Sequence, residues 1–325
     1  NMFKEGLSNF RHLDLGNITT ITSDKSFFWL GTNDAGIIRM DRKTGEQVVF
    51  DRNNSGIATN TMVSSLVSRD GTVWFGNYEG GLIRFRGGAI TNFRSSGKPG
   101  ELANNNIWSI CEDRQGNIWI GTYRRFGIIE YKKDGEIVAI TEQEGLISNF
   151  VHTIEILQDG TIAAGTDEGI SIFNPDGTLA RTYSYQNGME YPSILAIYQD
   201  EDGRIFAGSD GGGIYILNGD EITNITDVDG LSSNVVSCFY KGNNGLFIGT
   251  DNGLSYYDAA FRTISLIDFS NNIYNIIGDG DVLHIIGSKG LISVSESQLL
   301  GTAELKTRYY SSGDGLDQTI TIHSH

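Results

Sequence analysis

The stretch Ile107-Trp108-Ser109-Ile110-Cys111-Glu112-Asp113-Arg114-Gln115-Gly116-Asn117-Ile118-Trp119-Ile120-Gly121-Thr122 falls into two apolar runs around an Asp/Gly turn. Short β-prone runs joined this way read as a hairpin. Working outward, Tyr123-Arg124-Arg125-Phe126 leads to a third run, Gly127-Ile128-Ile129-Glu130-Tyr131. A turn at Lys132-Lys133-Asp134-Gly135 precedes a fourth, Glu136-Ile137-Val138-Ala139-Ile140. This unit predicts four short antiparallel strands.

The unit recurs. Its Trp119-Ile120-Gly121-Thr122 has counterparts in Trp29-Leu30-Gly31-Thr32, Trp74-Phe75-Gly76-Asn77, Ala163-Ala164-Gly165-Thr166, Phe206-Ala207-Gly208-Ser209, Phe247-Ile248-Gly249-Thr250 and Ile285-Ile286-Gly287-Ser288. The glycines step by 45, 45, 44, 43, 41 and 38 residues. That spacing marks a repeat architecture in which each unit buries its faces against its neighbours. Third runs open on Gly36, Gly81, Gly127, Gly169, Gly213, Gly253 and Gly290, and no helical periodicity persists. Four strands repeated seven times predict an all-β fold, a seven-bladed β-propeller of four-stranded antiparallel blades. Residues 1–325 are expected to form this single ring, with 1–16 and 312–325 read either as closing strands or as remnants of flanking domains.

Composition narrows the function. The net charge of −16 repels phosphate backbones and anionic lipid surfaces, so no nucleic acid is expected as a partner. No apolar run is long enough to span a bilayer, so direct membrane insertion is not expected. The amino terminus lacks the basic segment and hydrophobic core of a signal peptide, so any export signal lies outside this sequence. Cys111 and Cys238 fall in the first strands of repeats three and six. Blades so far apart exceed the roughly 7 Å limit between Cα atoms for a disulfide, which predicts two free thiols. The five histidines are scattered and no ligand set has metal spacing, so neither a metal nor another cofactor is expected.

Three segments carry a family resemblance. Glu144-Gly145-Leu146-Ile147-Ser148-Asn149 and Asp229-Gly230-Leu231-Ser232-Ser233-Asn234 resemble the "G-L-x-S-N" lead-in of a repeat, and Asp113 to Thr122 resembles its "D-x-x-G-x-I-W-I-G-T" centre. Together they are similar to the two-component regulator propeller repeat. The resemblance implies a periplasmic sensor region of a bacterial hybrid two-component protein, joined in its parent chain to a histidine kinase. It also implies a carbohydrate breakdown product as ligand. Repeat four departs from the pattern with Ala163, and repeat seven is irregular around His284.

Comparing the repeats with one another locates candidate ligand contacts. Connections between second and third strands are mostly small or acidic, but repeat three inserts Tyr123-Arg124-Arg125-Phe126. Guanidinium groups pair with carboxylate or sulfate in a fork geometry, and aromatic faces stack on sugar rings. The competing reading gives these arginines to neighbouring acidic loops. Three residues past the lead-in Asn lie Val63, Trp108, His152 and Ser237. Trp108 and His152 are the functional types, though a packed tryptophan or histidine is the ordinary outcome. Tyr78 and Tyr191 extend the rim. The expected ligand-binding set is therefore Tyr78, Trp108, Tyr123, Arg124, Arg125, His152 and Tyr191, with no catalytic residue.

Three function classes follow. The first is a non-catalytic sensor that binds an oligosaccharide, acidic if the arginines face it, and works with the rest of its own kinase chain. A homodimer is left open. The second is a protein-interaction scaffold. The third, a propeller lyase or glycosidase, ranks below both, because the Asp-Gly of Ser68-Arg69-Asp70-Gly71 is accounted for by a hairpin turn.

Overall fold

The structure, a computed structural model, describes residues 18–98, 100–123, 126–258, 261–264, 272–288, 290–301 and 308–310. It contains seven four-stranded sheets, each built of four strands consecutive in sequence. The blades span residues 18–50, 62–93, 107–140, 151–184, 194–225, 236–264 and 273–310. All pairings are antiparallel, and the first strands of successive blades pack side by side around the ring. The fold is the seven-bladed β-propeller that the repeat predicts. Terminal segments 1–16 and 312–325 lie outside the described residues.

Each element of the repeat has a physical task. Asp113 is fully buried at the first turn of blade three, where Oδ1 accepts from the backbone N–H groups of Gln115 and Asn117 at 2.9 Å. Its Oδ2 accepts from Asn117 Nδ2 at 2.8 Å and from the Trp119 indole at 3.0 Å. The aspartate thus fixes the turn and the tryptophan of the second strand together. Asp24 holds the Trp29 indole in blade one, and the Ser68 hydroxyl holds that of Trp74 in blade two. Buried indole N–H groups need such partners.

The Thr or Ser after the motif glycine closes the next turn. Thr32, Thr122, Thr166, Ser209 and Thr250 are all buried, and each donates its hydroxyl to the carbonyl of the glycine that opens the third strand, at 2.7 to 2.9 Å. That opening glycine is required twice over. At Gly81, for instance, φ is +82° and an added Cβ would collide with the Phe93 carbonyl of the fourth strand. Blades are then tied to one another through the lead-in asparagines. Gly36, Gly81, Gly127 and Gly213 donate their N–H groups to the carbonyls of Asn60, Asn105, Asn149 and Asn234 in the following lead-in.

The core lies at the seams between blades. Six apolar clusters each draw on two successive blades, as where Trp74 and Leu82 of blade two meet Ile107, Ile118 and Ile120 of blade three. Second strands such as Ile118–Thr122 are buried along their whole length, which is why they read as continuous apolar runs rather than alternating ones. One short helix, Glu296–Leu300, follows the third strand of blade seven, where the sequence shows no helical period. Its buried Glu296 accepts from the N–H groups of Asn243 and Asn244, locking blade seven to the first turn of blade six.

Candidate functional site

Every first strand carries an irregularity at the same register. In blade three Ile107 pairs with Thr122 and Ser109 with Gly121, leaving Trp108 as the extra residue of a bulge. The equivalent residues are Thr19, Val63, His152, Leu195, Ser237 and Tyr274. A bulge re-aims one side chain out of the ladder. These seven residues stand at the start of the innermost strands, on the face where second strands connect to third and fourth strands to the next blade. We call this the upper face. Counting from the lead-in asparagines had found four of the seven. The same count from Asn271 reaches Tyr274, and blades one and five lack the asparagine that starts it.

At these positions small hydroxyls serve the seams. Thr19 Oγ1 lies 3.1 Å from the Gly31 carbonyl and 2.6 Å from that of Met62 in blade two. Ser237 likewise approaches the carbonyls of Gly249 and, in blade seven, Ile273. Trp108 and His152 replace this bridge with larger groups on adjacent blades.

Trp108 is buried and stacks on Tyr123, ring centroids 4.8 Å apart and planes 21° apart. Tyr123 also meets the edge of Phe150, on the lead-in to blade four, at 6.2 Å and 85°. Asn104 and Asn106 fix the Tyr123 backbone, Asn104 Nδ2 donating to its carbonyl at 2.7 Å and its N–H donating to the Asn106 carbonyl at 3.1 Å. Trp108 and Tyr123 are therefore brought together, and Phe150 is a contact that sequence comparison missed. Arg124 and Arg125 lie outside the described residues.

His152 is partly buried, and its Nε2 is enclosed without a hydrogen-bond partner. Burial lowers its pKa below the ordinary histidine value, opposed by the nearby carboxylates of Asp167 and Asp210. Asp167 Oδ1 is also enclosed without a donor. Asp167 belongs to the same blade and Asp210 to the next, so both are additions to the predicted set. They were legible only as members of a small and acidic loop pattern.

Tyr78, on the connection between the second and third strands of blade two, and Tyr191, on the lead-in to blade five, lie on the same upper face. Tyr78 is half-buried, its N–H donating to the Thr61 carbonyl. Beside it, Glu79 is the one non-glycine residue with positive φ among the described residues, at 62°. Asn77 stands where most blades have Thr or Ser, fully buried with neither amide atom paired. Tyr191 is half exposed and donates its N–H to the Tyr215 hydroxyl at 2.9 Å. Among the described residues no cluster of His, Cys, Asp or Glu has the arrangement of a metal site, and no helix is long and apolar enough to cross a membrane.

Residues 101–124, spanning the asparagine lead-in, the first strand, the Asp113 turn and Gly121-Thr122, match the family model described as two-component regulator propeller. The match falls on one of the seven repeats, that of blade three. The matched window also holds Trp108 and Tyr123. No curated protein matches the chain. Among solved structures, virginiamycin B lyase from Staphylococcus aureus aligns at 17% identity with a TM-score of 0.66, covering 84% of this chain and 92% of that one. PorZ of Porphyromonas gingivalis, a surface component of a type-IX secretion system, aligns at 16% identity and TM-score 0.59, covering 90% of this chain and 46% of that one. The extracellular domain of a putative hybrid two component system from B. thetaiotaomicron aligns at 18% identity and TM-score 0.42, covering 91% and 46%. This chain spans about half the length of the last two proteins. At these identities the structural likeness speaks to the fold alone.

Proposed function

We propose that this propeller is the extracytoplasmic, ligand-sensing part of a bacterial hybrid two-component regulator, and that it binds a carbohydrate fragment at the upper mouth of the ring without turning it over. The observation that carries this reading is the Trp108–Tyr123 stack, placed at the ring mouth by a bulge inside the segment that matches the regulator repeat. A tyrosine backed by a buried indole offers a rigid apolar face of the kind that saccharide rings stack on. His152 Nε2 and Asp167 Oδ1 are enclosed and unpaired, and hydroxyl groups that donate and accept would satisfy both.

The sign of the ligand's charge rests on Arg124 and Arg125. The described upper loops of blades four and five carry Asp167, Glu168 and Asp210, which favour a neutral saccharide. An acidic one needs the two arginines directed into the mouth. Calorimetric titration of matched neutral and uronic-acid oligosaccharides against the wild type and an Arg124→Ala/Arg125→Ala variant separates the cases. Binding of neither class, with the protein folded, would remove the carbohydrate reading.

A further inference from the structure

The two faces of the ring differ in charge and in what covers the charge. On the lower face, ion pairs gather at or beside the turns between first and second or third and fourth strands. Examples are Arg69–Glu112, Lys132–Glu136, Arg181–Asp220 and Arg204–Asp200. On the upper face, the connections at 141–150, 167–168, 184–193, 210–212, 226–235 and 251–252 contain no lysine or arginine. Each nevertheless exposes a carboxylate: Glu144, Glu168, Glu190, Asp210, Asp227 and Asp251. This sector, from the end of blade three to blade six, is anionic without internal neutralisation.

The same sector exposes large apolar side chains. Tyr185 is 71% exposed and Val228 88% exposed, each at the tip of a one-turn 3-10 connection. Tyr191, on the same connection as Tyr185, is half exposed. The tips are held rigidly. Ser184 caps the turn of Tyr185, and Thr226 with Asp229 forms a reciprocal capping box around Val228. Three of the exposed large hydrophobic side chains among the described residues thus fall on this sector. Tyr185 and Tyr191 stand on one inter-blade connection and Val228 on the next, so exposed apolar side chains are concentrated on two consecutive connections.

We propose that the upper face of blades four to six docks a polypeptide segment that alternates basic with apolar side chains. Lysine or arginine would meet the carboxylates, and the apolar side chains would pack against Tyr185 and Val228. Charge complementarity selects this occupant over a polyanion or an acidic peptide, and the apolar tips select it over a simple polycation. The proposal rests on exposed carboxylates and apolar tips rather than on the Trp108–Tyr123 stack, so it does not depend on carbohydrate binding.

The test is fluorescence anisotropy with a labelled peptide alternating lysine with leucine and tryptophan, against labelled polylysine, at physiological ionic strength. The peptide should bind more tightly than polylysine. The Tyr185→Ser/Val228→Ser variant should weaken it about tenfold, as should Glu168→Gln/Glu190→Gln/Asp251→Asn. The charge-matched lower-face variant Asp134→Asn/Glu201→Gln/Asp220→Asn should bind as the wild type does. The proposal is overturned by no binding, by equal binding of polylysine, or by a peptide affinity that all three variants share. It is also overturned if sedimentation shows a dimer of the chain that Tyr185→Ser/Val228→Ser dissociates, because the face would then belong to a second copy.

Discussion

Gly208 of blade five faces Val236, the first residue of blade six: a Cβ added to Gly208 would stand 2.6 Å from Val236 Cγ1 and 3.0 Å from its carbonyl oxygen. The same relationship joins Gly76 to Ile107 and Gly249 to Ile273. The glycine that defines the repeat is therefore the seat of the next blade's first strand. Gly208→Ala should destabilise the ring by about 1–3 kcal/mol through overpacking against backbone. Gly121→Ala, whose nearest neighbour is Val151 Cγ1 at 3.0 Å, should cost less. Urea unfolding of both variants checks the order, and equal losses would contradict it.

That relationship also explains how much the sequence could tell. The fold was legible because the motif residues meet the same geometric demands from blade to blade. The glycine seats a neighbour, Thr122 closes a turn, and Asp113 holds both a turn and an indole. The candidate site was legible only in part, because binding residues are departures from the repeat and each departure occurs once. Counting from Asn105 and Asn149 reached Trp108 and His152, since the bulge keeps a constant distance from the lead-in. Phe150 and Asp210 join the site across a blade boundary, and Asp167 from another loop of the blade of His152, so the count from the lead-in reaches none of them.

Glu155 gives a pH prediction. It sits on the first strand of blade four, reaches solvent, and is crowded enough that burial pushes its carboxyl up to about 7. The folded state then holds a proton that the unfolded chain releases near the ordinary carboxylate value. Stability from this group is present at acid pH and declines as pH rises toward and through 7. Glu155→Gln should raise Tm near pH ~8 and leave it little changed near pH ~4.5, the gain kept small because the side chain reaches solvent. Thermal melts at the two pH values decide it, and a variant less stable at the higher pH would contradict the assignment.

The two cysteines should be silent until the ring opens. Cys111 and Cys238 are both free. Burial is the main cause that raises both thiols, Cys111 well above its usual range and Cys238 up to about 12, with Glu155 and Asp113 adding to the rise at Cys111. Thiol titration of the unreduced protein should find neither reactive when folded and both reactive in denaturant. Rapid labelling of the folded protein would show that the first strands open locally.

Tyr123 should matter more to ligand than to fold. It is the less buried ring of its stack. Tyr123→Ala should weaken saccharide binding by about 1–3 kcal/mol, the range for a lost aromatic platform plus its apolar contact. Trp108→Ala should cost the ring about 3–5 kcal/mol of stability, as for any large buried aromatic side chain. Calorimetry and denaturant unfolding on both variants separate the roles. Equal affinity in Tyr123→Ala would move the ligand away from blade three.

The most direct test of the account is a panel of neutral and acidic glycan fragments presented to the purified chain, scored together for thermal shift and for product. A ligand that binds only the folded state raises Tm according to RT ln(1 + [L]/Kd), whether or not it is transformed. A concentration-dependent shift with at least one saccharide, lost in Tyr123→Ala and unaccompanied by product, is the predicted result. Product accumulating in proportion to protein, and abolished by His152→Ala or Asp167→Asn, would contradict it and make the ring mouth an active site.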